Sequence, residues 1–415
     1  MLRSIRLRHS PRPSPRPQQR RPLFGLSFPT PSNEPLAGTL DGSGPPWLFL
    51  AQVIFGLPTA LWTYKVRSAF PRPPRARADP AWQCLLMVLF QRRLIYLPSV
   101  PPGSRNEKLE ERKDQLGGMR CEQVEVRSRA PSRWLRRDVV LKGVQLSWTD
   151  AEEKAGAKLA GAQPGAKPDV VVVYLQGPSS HPTLRLLLRN RRAGNAGTPL
   201  HRIPLFSRLL SPARSSTRTR ITLVASAPRS FWLSSRSTPT QTTLLADYTS
   251  IVTHTRLRFP TTPIVLYGHS LGGAIAILHA VQHPSTPIAG IILENPLPSI
   301  PYMVRALYPQ KWLPYHYLGP LVFDRWNAVG ALENHTGRLP RSLWIRSGDD
   351  EIIPADVEGG EGGVRRMYGR WTGEKRWVDV RGALHDTAFL RVGWKDEVRG
   401  FLDGIVREDR ETSAQ

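Results

Sequence analysis

The 415-residue sequence predicts an α/β fold, a mostly parallel, doubly wound sheet with a small cap. Three observations carry that expectation. The runs "DVVVVYLQG", "RITLVASAP", "TPIVLYGHS" and "IAGIILENP" are continuously apolar and lack the alternation of a strand that faces water on one side. Helical patterns near Leu205–Leu210, around Leu244–Arg258 and after Ser270 separate these runs, the rhythm of parallel strands joined by crossover helices. The stretch "IVLYGHSLGG" at 264–273 sets Gly268-His269-Ser270-Leu271-Gly272 between a buried strand and an apolar helix. A serine among small residues at such a junction is the pattern of a nucleophile on a sharp strand-to-helix turn.

Before the sheet, residues 1–46 read as a disordered basic tail. Residues 1–33 hold seven arginines among prolines and no acidic residue, with too little apolar surface to offset their ordering entropy. Much of the excess behind the chain's net charge of +25 is local, and this basic tail suggests anionic partners. No nucleic-acid motif with interleaved aromatics accompanies that charge, so a membrane surface is expected as partner and nucleic acid is not. The segment Trp47–Tyr64, uncharged over about 18 residues and ending in aromatics, predicts a single-pass membrane anchor, with a cleaved signal anchor or a buried helix as alternatives. Its orientation is unreadable, and an endomembrane is expected over the cytosol. Residues 65–117 read as a linker whose apolar stretch Ala81–Phe90 is too short to span; it either lies at an interface or packs on the folded domain.

The folded domain is expected over 118–408, with 409–415 as a tail. "CEQVEVRS" and "VVLKGVQLSW" predict an antiparallel strand pair, and Thr149–Pro168 a surface loop. A Pro- and aromatic-rich interruption at about 297–340 predicts a cap, for which Trp312, Tyr315, Tyr317, Phe323 and Trp326 would supply an apolar underside suited to acyl or lipid-like substrates. Strands resume at "RSLWIRSG" and "KRWVDVRG", and an amphipathic stretch from Ala388 to about Arg407 closes the domain. The two cysteines, Cys84 and Cys121, define neither a disulfide framework nor a metal spacing, so the redox compartment stays open; the serine chemistry argued below calls for no metal and no cofactor.

A serine hydroxyl needs a base, and the base an orienting acid. Downstream of Ser270, "IRSGDDEIIP" offers an acid just past one strand and "VRGALHDTAF" offers His385 just past the last. Both fall on loops at the sheet edge where open parallel sheets bind ligands. Asp386 reads as a turn residue, and His269 and His283 as structural.

In "FQRRLIYLPSVPPGSR", "VVVYLQG", "GNAGTPLHR", "TPTQTTLLADY", "YGHSLGG", "ENPLPSIP", "SGDDEIIP" and "LHDTAF", over roughly residues 85–407, the chain resembles the α/β-hydrolase family. It is most similar to the membrane-anchored abhydrolase-domain branch of lysophospholipid lipases and protein depalmitoylases. The resemblance implies Ser270 as nucleophile, His385 as base and Asp350 as acid, since the family acid lies four residues before a proline, here Pro354. Counting from Gly348 instead favours Glu351, and Asp349 stays open. Leu271, after the nucleophile at a helix start, offers one oxyanion donor; Gly177 and Asn195 are the candidates on the loop after "VVVYLQG".

That loop departs from the family. Gln176-Gly177 and Asn195-Ala196-Gly197 normally adjoin, but here the basic insertion 178–194 separates them. Pro178 moreover has no N–H to donate. The insertion either loops out, leaving Asn195 in place, or is an untranslated stretch read into the chain. The expected function is a membrane-anchored serine hydrolase that cleaves acyl esters or thioesters of lysophospholipid or acyl-protein type through an acyl-enzyme. The alternative is a catalytically inactive membrane scaffold of the same fold.

Overall fold

The computed structural model describes residues 80–96, 98, 103–128, 138–148, 167–177, 197–211, 219–353 and 363–415. Their centre is one eight-stranded sheet in the order β1-β2-β4-β3-β5-β6-β7-β8. The strands are β1 (Met119–Ser128), β2 (Val139–Trp148), β3 (Val170–Leu175), β4 (Ile221–Ser226), β5 (Ile264–His269), β6 (Gly290–Glu294), β7 (Arg341–Ser347) and β8 (Lys375–Val380). Only β2 runs against its neighbours β1 and β4; the other pairs are parallel. This is the α/β-hydrolase fold, with helices on both faces of the sheet. Burial explains the sequence pattern. Every residue of β3, β4, β5 and β6 is buried, whereas the outer strand β1 alternates between core and water.

The helices are α1 (Pro80–Leu89), α2 (Gln91–Tyr96), the single turn α3 (Lys113–Leu116), α4 (Ile203–Leu210), α5 (Gln241–Arg258), α6 (Leu271–Gln282), α7 (Ile300–Leu307), α8 (Ala328–Glu333), α9 (Val364–Arg370) and α10 (Trp394–Ala414). Helix α5 starts three residues earlier than its apolar pattern because a capping box opens it. Thr240 Oγ1 accepts from Thr243 N, and Thr243 Oγ1 accepts from Thr240 N at 2.8 Å. Helix α10 starts later than expected, because residues 388–390 form a separate 3₁₀ turn and Gly393 at φ +85° breaks the chain direction before Trp394. Its buried residues Trp394, Val398, Leu402, Ile405 and Val406 form one helical stripe against the core. Between β4 and α5, Arg229 donates from N, Nε and Nη2 to the Asp247 carboxylate; both side chains are fully enclosed, so the pair compensates its own desolvation.

Among the described residues no helix is long and apolar enough to cross a membrane. The expected single-pass membrane localisation is corrected on that finding. Trp47–Tyr64, on which it rested, lies outside the described residues, as does the tail 1–46. Of the two placements open to Ala81–Phe90, the structure takes packing on the domain. The 10-residue α1 is half the length of a span, and its buried Gln83 accepts from the Tyr315 hydroxyl. Further along, Gln91 donates to Leu321 O and accepts from Phe323 N, Arg92 pairs with Asp324 at 2.9 Å, and Tyr96 accepts from Trp326 Nε1. The cap aromatics therefore do not act as one underside. Tyr315 and Trp326 are buried against α1 and α2, while Trp312, Tyr317 and Phe323 are exposed.

His279 on α6 is buried beside Thr249 and its ring lies 4.9 Å from that of His283. Burial, then the charge of His283, lowers its pKa from 6.5 to about 4. The unfolded chain thus takes up a proton at 6.5 that the folded chain refuses until about 4. Stability that is present above the ordinary imidazole range is lost as the pH falls through it, by at most about 1.4 kcal/mol per pH unit from this group. The melting temperature of His279→Gln is therefore expected to fall less steeply than the parent's across that window. Equal slopes would show that His279 does not govern acid lability.

Candidate active site

The parallel sheet brings the carboxyl ends of β3, β5, β6, β7 and β8 to one edge, and the described candidates Gly177, Ser270, Leu271, Asp350 and His385 leave from there. Ser270 is the hinge between β5 and α6, at φ +56° and ψ −121°. A side-chain-bearing residue pays about 1–3 kcal/mol for such a backbone and keeps it only where its surroundings dictate it. Here Ser270 N donates to Glu294 O at 3.0 Å, and Ser270 O accepts from Gly273 N and Leu297 N at 2.9 and 3.0 Å. The flanking glycines follow from contact. A Cβ on Gly272 would stand 1.8 Å from Leu175 O, and one on Gly268 would stand 2.4 Å from Gly272 O.

His385 packs against this turn. Its backbone carbonyl accepts from His269 Nε2 at 2.9 Å and from Asn295 Nδ2 at 2.8 Å. Its Nδ1 lies 3.0 Å from both carboxylate oxygens of Asp350. A carboxylate there fixes the hydrogen on Nδ1 and leaves Nε2 as the basic nitrogen. No hydrogen bond links His385 to the Ser270 hydroxyl among those of the described residues.

The three acidic candidates separate cleanly. Asp350 Oδ1 also accepts from Ile352 N and Ile353 N at 2.9 Å, and Oδ2 from Arg346 Nη1 at 2.8 Å. Burial by itself would raise its pKa. The hydrogen bond and charge of His385, the Ile353 N–H and the Arg346 guanidinium outweigh burial and hold the carboxyl below its usual range. Glu351 instead accepts from the backbone N–H of His385 at 2.9 Å. Asp349 is exposed, and its backbone N–H donates to Ala383 O.

Of the oxyanion candidates, Leu271 opens α6 and is buried. Gly177 lies directly on the turn, since a Cβ there would stand 3.0 Å from both Leu271 N and His269 O. Asn195 and the insertion 178–194 lie outside the described residues. The flanks of the insertion nevertheless meet, because Gln176 Nε2 donates to Thr198 O at 3.3 Å. Tyr248 further anchors the strand end by donating its hydroxyl to Gln176 O at 2.7 Å.

Sequence reasoning missed four side chains. Arg346 clamps the candidate acid, and Asn295 joins β6, β7 and the His385 loop, with its Oδ1 accepting from Ser347 N and its Nδ2 donating to Ser347 Oγ. Arg202, at the 3₁₀ turn before α4, donates to His269 Nδ1 at 3.2 Å. Beneath them Glu294 is fully buried and accepts from Tyr267 Oη and Trp394 Nε1; burial raises its pKa against the pull of these partners. The one available signal was that Arg202, His269, Glu294, Asn295 and Arg346 all sit inside or beside motif blocks. Among the described residues no cluster of His, Cys, Asp and Glu could hold a metal ion.

Residues 235–331 match the family model described as serine aminopeptidase, S33, a hydrolase-type α/β-hydrolase family. Two uncharacterized proteins of Mycobacterium tuberculosis are 31% identical to the chain over 150 residues, which cover 36% of this chain and 46% of each relative. The chain thus spans about half the length of the curated relatives it matches. Among solved structures, an α/β hydrolase from Vibrio vulnificus has 13% identity and a TM-score of 0.46, covering 80% of this chain and 98% of that one. An esterase from Pyrococcus furiosus has 17% identity and a TM-score of 0.44, covering 70% of this chain and 92% of that one. With scores below 0.5 these likenesses carry no weight beside the strand order itself.

Proposed function

We propose that the chain is a serine hydrolase that cleaves acyl esters or thioesters, with Ser270 as nucleophile, His385 as base and Asp350 as orienting acid. The observation that carries the reading is the His385 Nδ1 contact with a buried, four-fold bonded carboxylate on a ring packed against the strained serine turn. In the mechanism, His385 Nε2 takes the Ser270 proton as Oγ attacks the acyl carbonyl. The proton then passes to the leaving alcohol or thiol, which departs as the acyl-enzyme forms. Water, deprotonated by the same nitrogen, releases the carboxylic acid and restores Ser270. In this reading the Leu271 N–H at the start of α6 is one donor to the developing oxyanion, and a second comes from the Gly177 or Asn195 side. Lysophospholipid and acylated protein are the substrate classes to screen first.

A second reading, an inactive scaffold of the same fold, is favoured by Pro178, which removes a backbone donor beside Gly177. One experiment separates them. The full chain and a version lacking 178–194 are treated with a fluorophosphonate probe, and the modified residue is located by mass spectrometry. Modification at Ser270 of the full chain is the expected result. Modification of the shortened version alone would make the insertion an inactivating one. Folded protein unmodified at Ser270 in both would overturn the hydrolase reading.

A further inference from the structure

We propose that His269, the residue before Ser270, is a positioning residue that latches the serine turn to the loop carrying His385; this rests on the serine-hydrolase reading above. The loop from 381 to 387 contains no regular helix or strand, and a Leu384–Thr387 turn shapes it. Asp349 N, Glu351 and Asp350 tie it to the loop after β7, which leaves its link to the serine turn to other groups. His269 makes that link directly, from the position before Ser270. Its backbone is covalently joined to Ser270, and its Nε2 donates to the His385 carbonyl at 2.9 Å. The two imidazole centroids are 4.9 Å apart.

The hydrogen on that Nε2 is not left to chance. Arg202 Nη2 lies 3.2 Å from His269 Nδ1. A guanidinium can only donate, so Nδ1 must accept and the ring hydrogen is confined to Nε2. Burial, then the charges of Arg202 and His385, keep this imidazole well below its ordinary range and therefore neutral, which preserves Nδ1 as an acceptor. Arg202 also donates to Asp386 O at 3.4 Å, so one guanidinium braces both the latch and the residue after the base. Asn295 supplies a second donor to the His385 carbonyl, and removal of His269 should loosen the loop without freeing it. Looseness matters because proton transfer and attack need the serine oxygen and imidazole nitrogen held to within a few tenths of an ångström of hydrogen-bond distance.

The test uses the full chain with His269→Leu, which lacks the donor, and His269→Gln, whose amide N–H can replace it. Fluorophosphonate modification of Ser270 is expected to slow about tenfold in the Leu variant and to recover to within about threefold of the parent in the Gln variant. KM for a soluble ester is expected to stay within about twofold, placing the loss in kcat. Hydrogen exchange of the peptide spanning 383–388 is expected to quicken in Leu and not in Gln. Should the Leu variant fail to fold, Arg202→Met tests the same point by releasing Nδ1, and it too is expected to quicken exchange. A Gln variant no better than Leu, or parent-like rate and exchange in Leu, would overturn the latch. A parent unmodified at Ser270 would sink the hydrolase reading instead, and the exchange contrast would still decide the latch.

Discussion

Asp350→Asn is expected to lower kcat/KM for a soluble acyl ester by about 10⁴-fold, the scale seen when an orienting carboxylate becomes an amide. The carboxylate accepts from Ile352 N, Ile353 N, Arg346 Nη1 and His385 Nδ1, and each of these partners can only donate in this arrangement. An amide brings its own N–H to one of them. If that one is His385, the ring turns its hydrogen to Nε2 and loses its basic nitrogen toward Ser270. Asp349→Asn is expected to stay within about twofold, and Glu351→Gln within about tenfold, since Gln still offers an oxygen to the His385 N–H. Steady-state kinetics on the three variants checks this, beside melting temperatures that account for the buried Arg346 charge left by Asn. A 10⁴-fold loss in Glu351→Gln with an active Asp350→Asn would reassign the acid.

Gly272→Ala is expected to destabilise the domain by about 3 kcal/mol or more and to abolish fluorophosphonate modification. Its Cβ would stand 1.8 Å from the carbonyl oxygen of Leu175 and 2.8 Å from its carbon, both backbone atoms of β3. No rotamer change relieves a backbone clash, so α6 must shift away from β3. Ser270 and Leu271 would move with it, and Gly177 would lose its place on the turn. Gly400 is the control, a glycine within α10 with nothing within 4 Å of an added Cβ. Gly400→Ala is expected to stabilise by about 0.5–1 kcal/mol through helix propensity. Thermal unfolding checks both, and a Gly272→Ala protein that melts with the parent would remove the steric account of the motif.

Strand runs, the serine turn and the His385 loop were legible because each is local. Continuous Val and Ile residues write a two-sided burial into the chain, and Gly268 and Gly272 write close backbone approach. The choice among Asp349, Asp350 and Glu351 was legible only in part, since the spacing before Pro354 favours Asp350 and the count from Gly348 favours Glu351. Asp350 turns inward onto Arg346 and the N–H groups of Ile352 and Ile353, all close in sequence, but its contact with the His385 ring joins residues 35 apart. Arg202 and Asn295 were illegible because their partners are 67 and 90 residues away. His269 was read as structural from its variable place in the motif; its bond to His385 spans 116 residues and leaves no trace in spacing. The membrane placement erred by extending one apolar segment outside the described residues to a statement about the whole chain.

The contact between Gln176 and Thr198 also bears on how this chain tolerates change in length. Gln176 and Thr198 meet at 3.3 Å, so the chain leaves and returns at one point of the sheet edge, and the entropy of closing such a connection grows only with the logarithm of its length. Doubling it costs about 0.6 kcal/mol in closure entropy. Residues can therefore be gained or shed there with little selection against them on stability. Beside the Ser270 turn, the effect of the connection's length on that turn, not on folding, sets the limit.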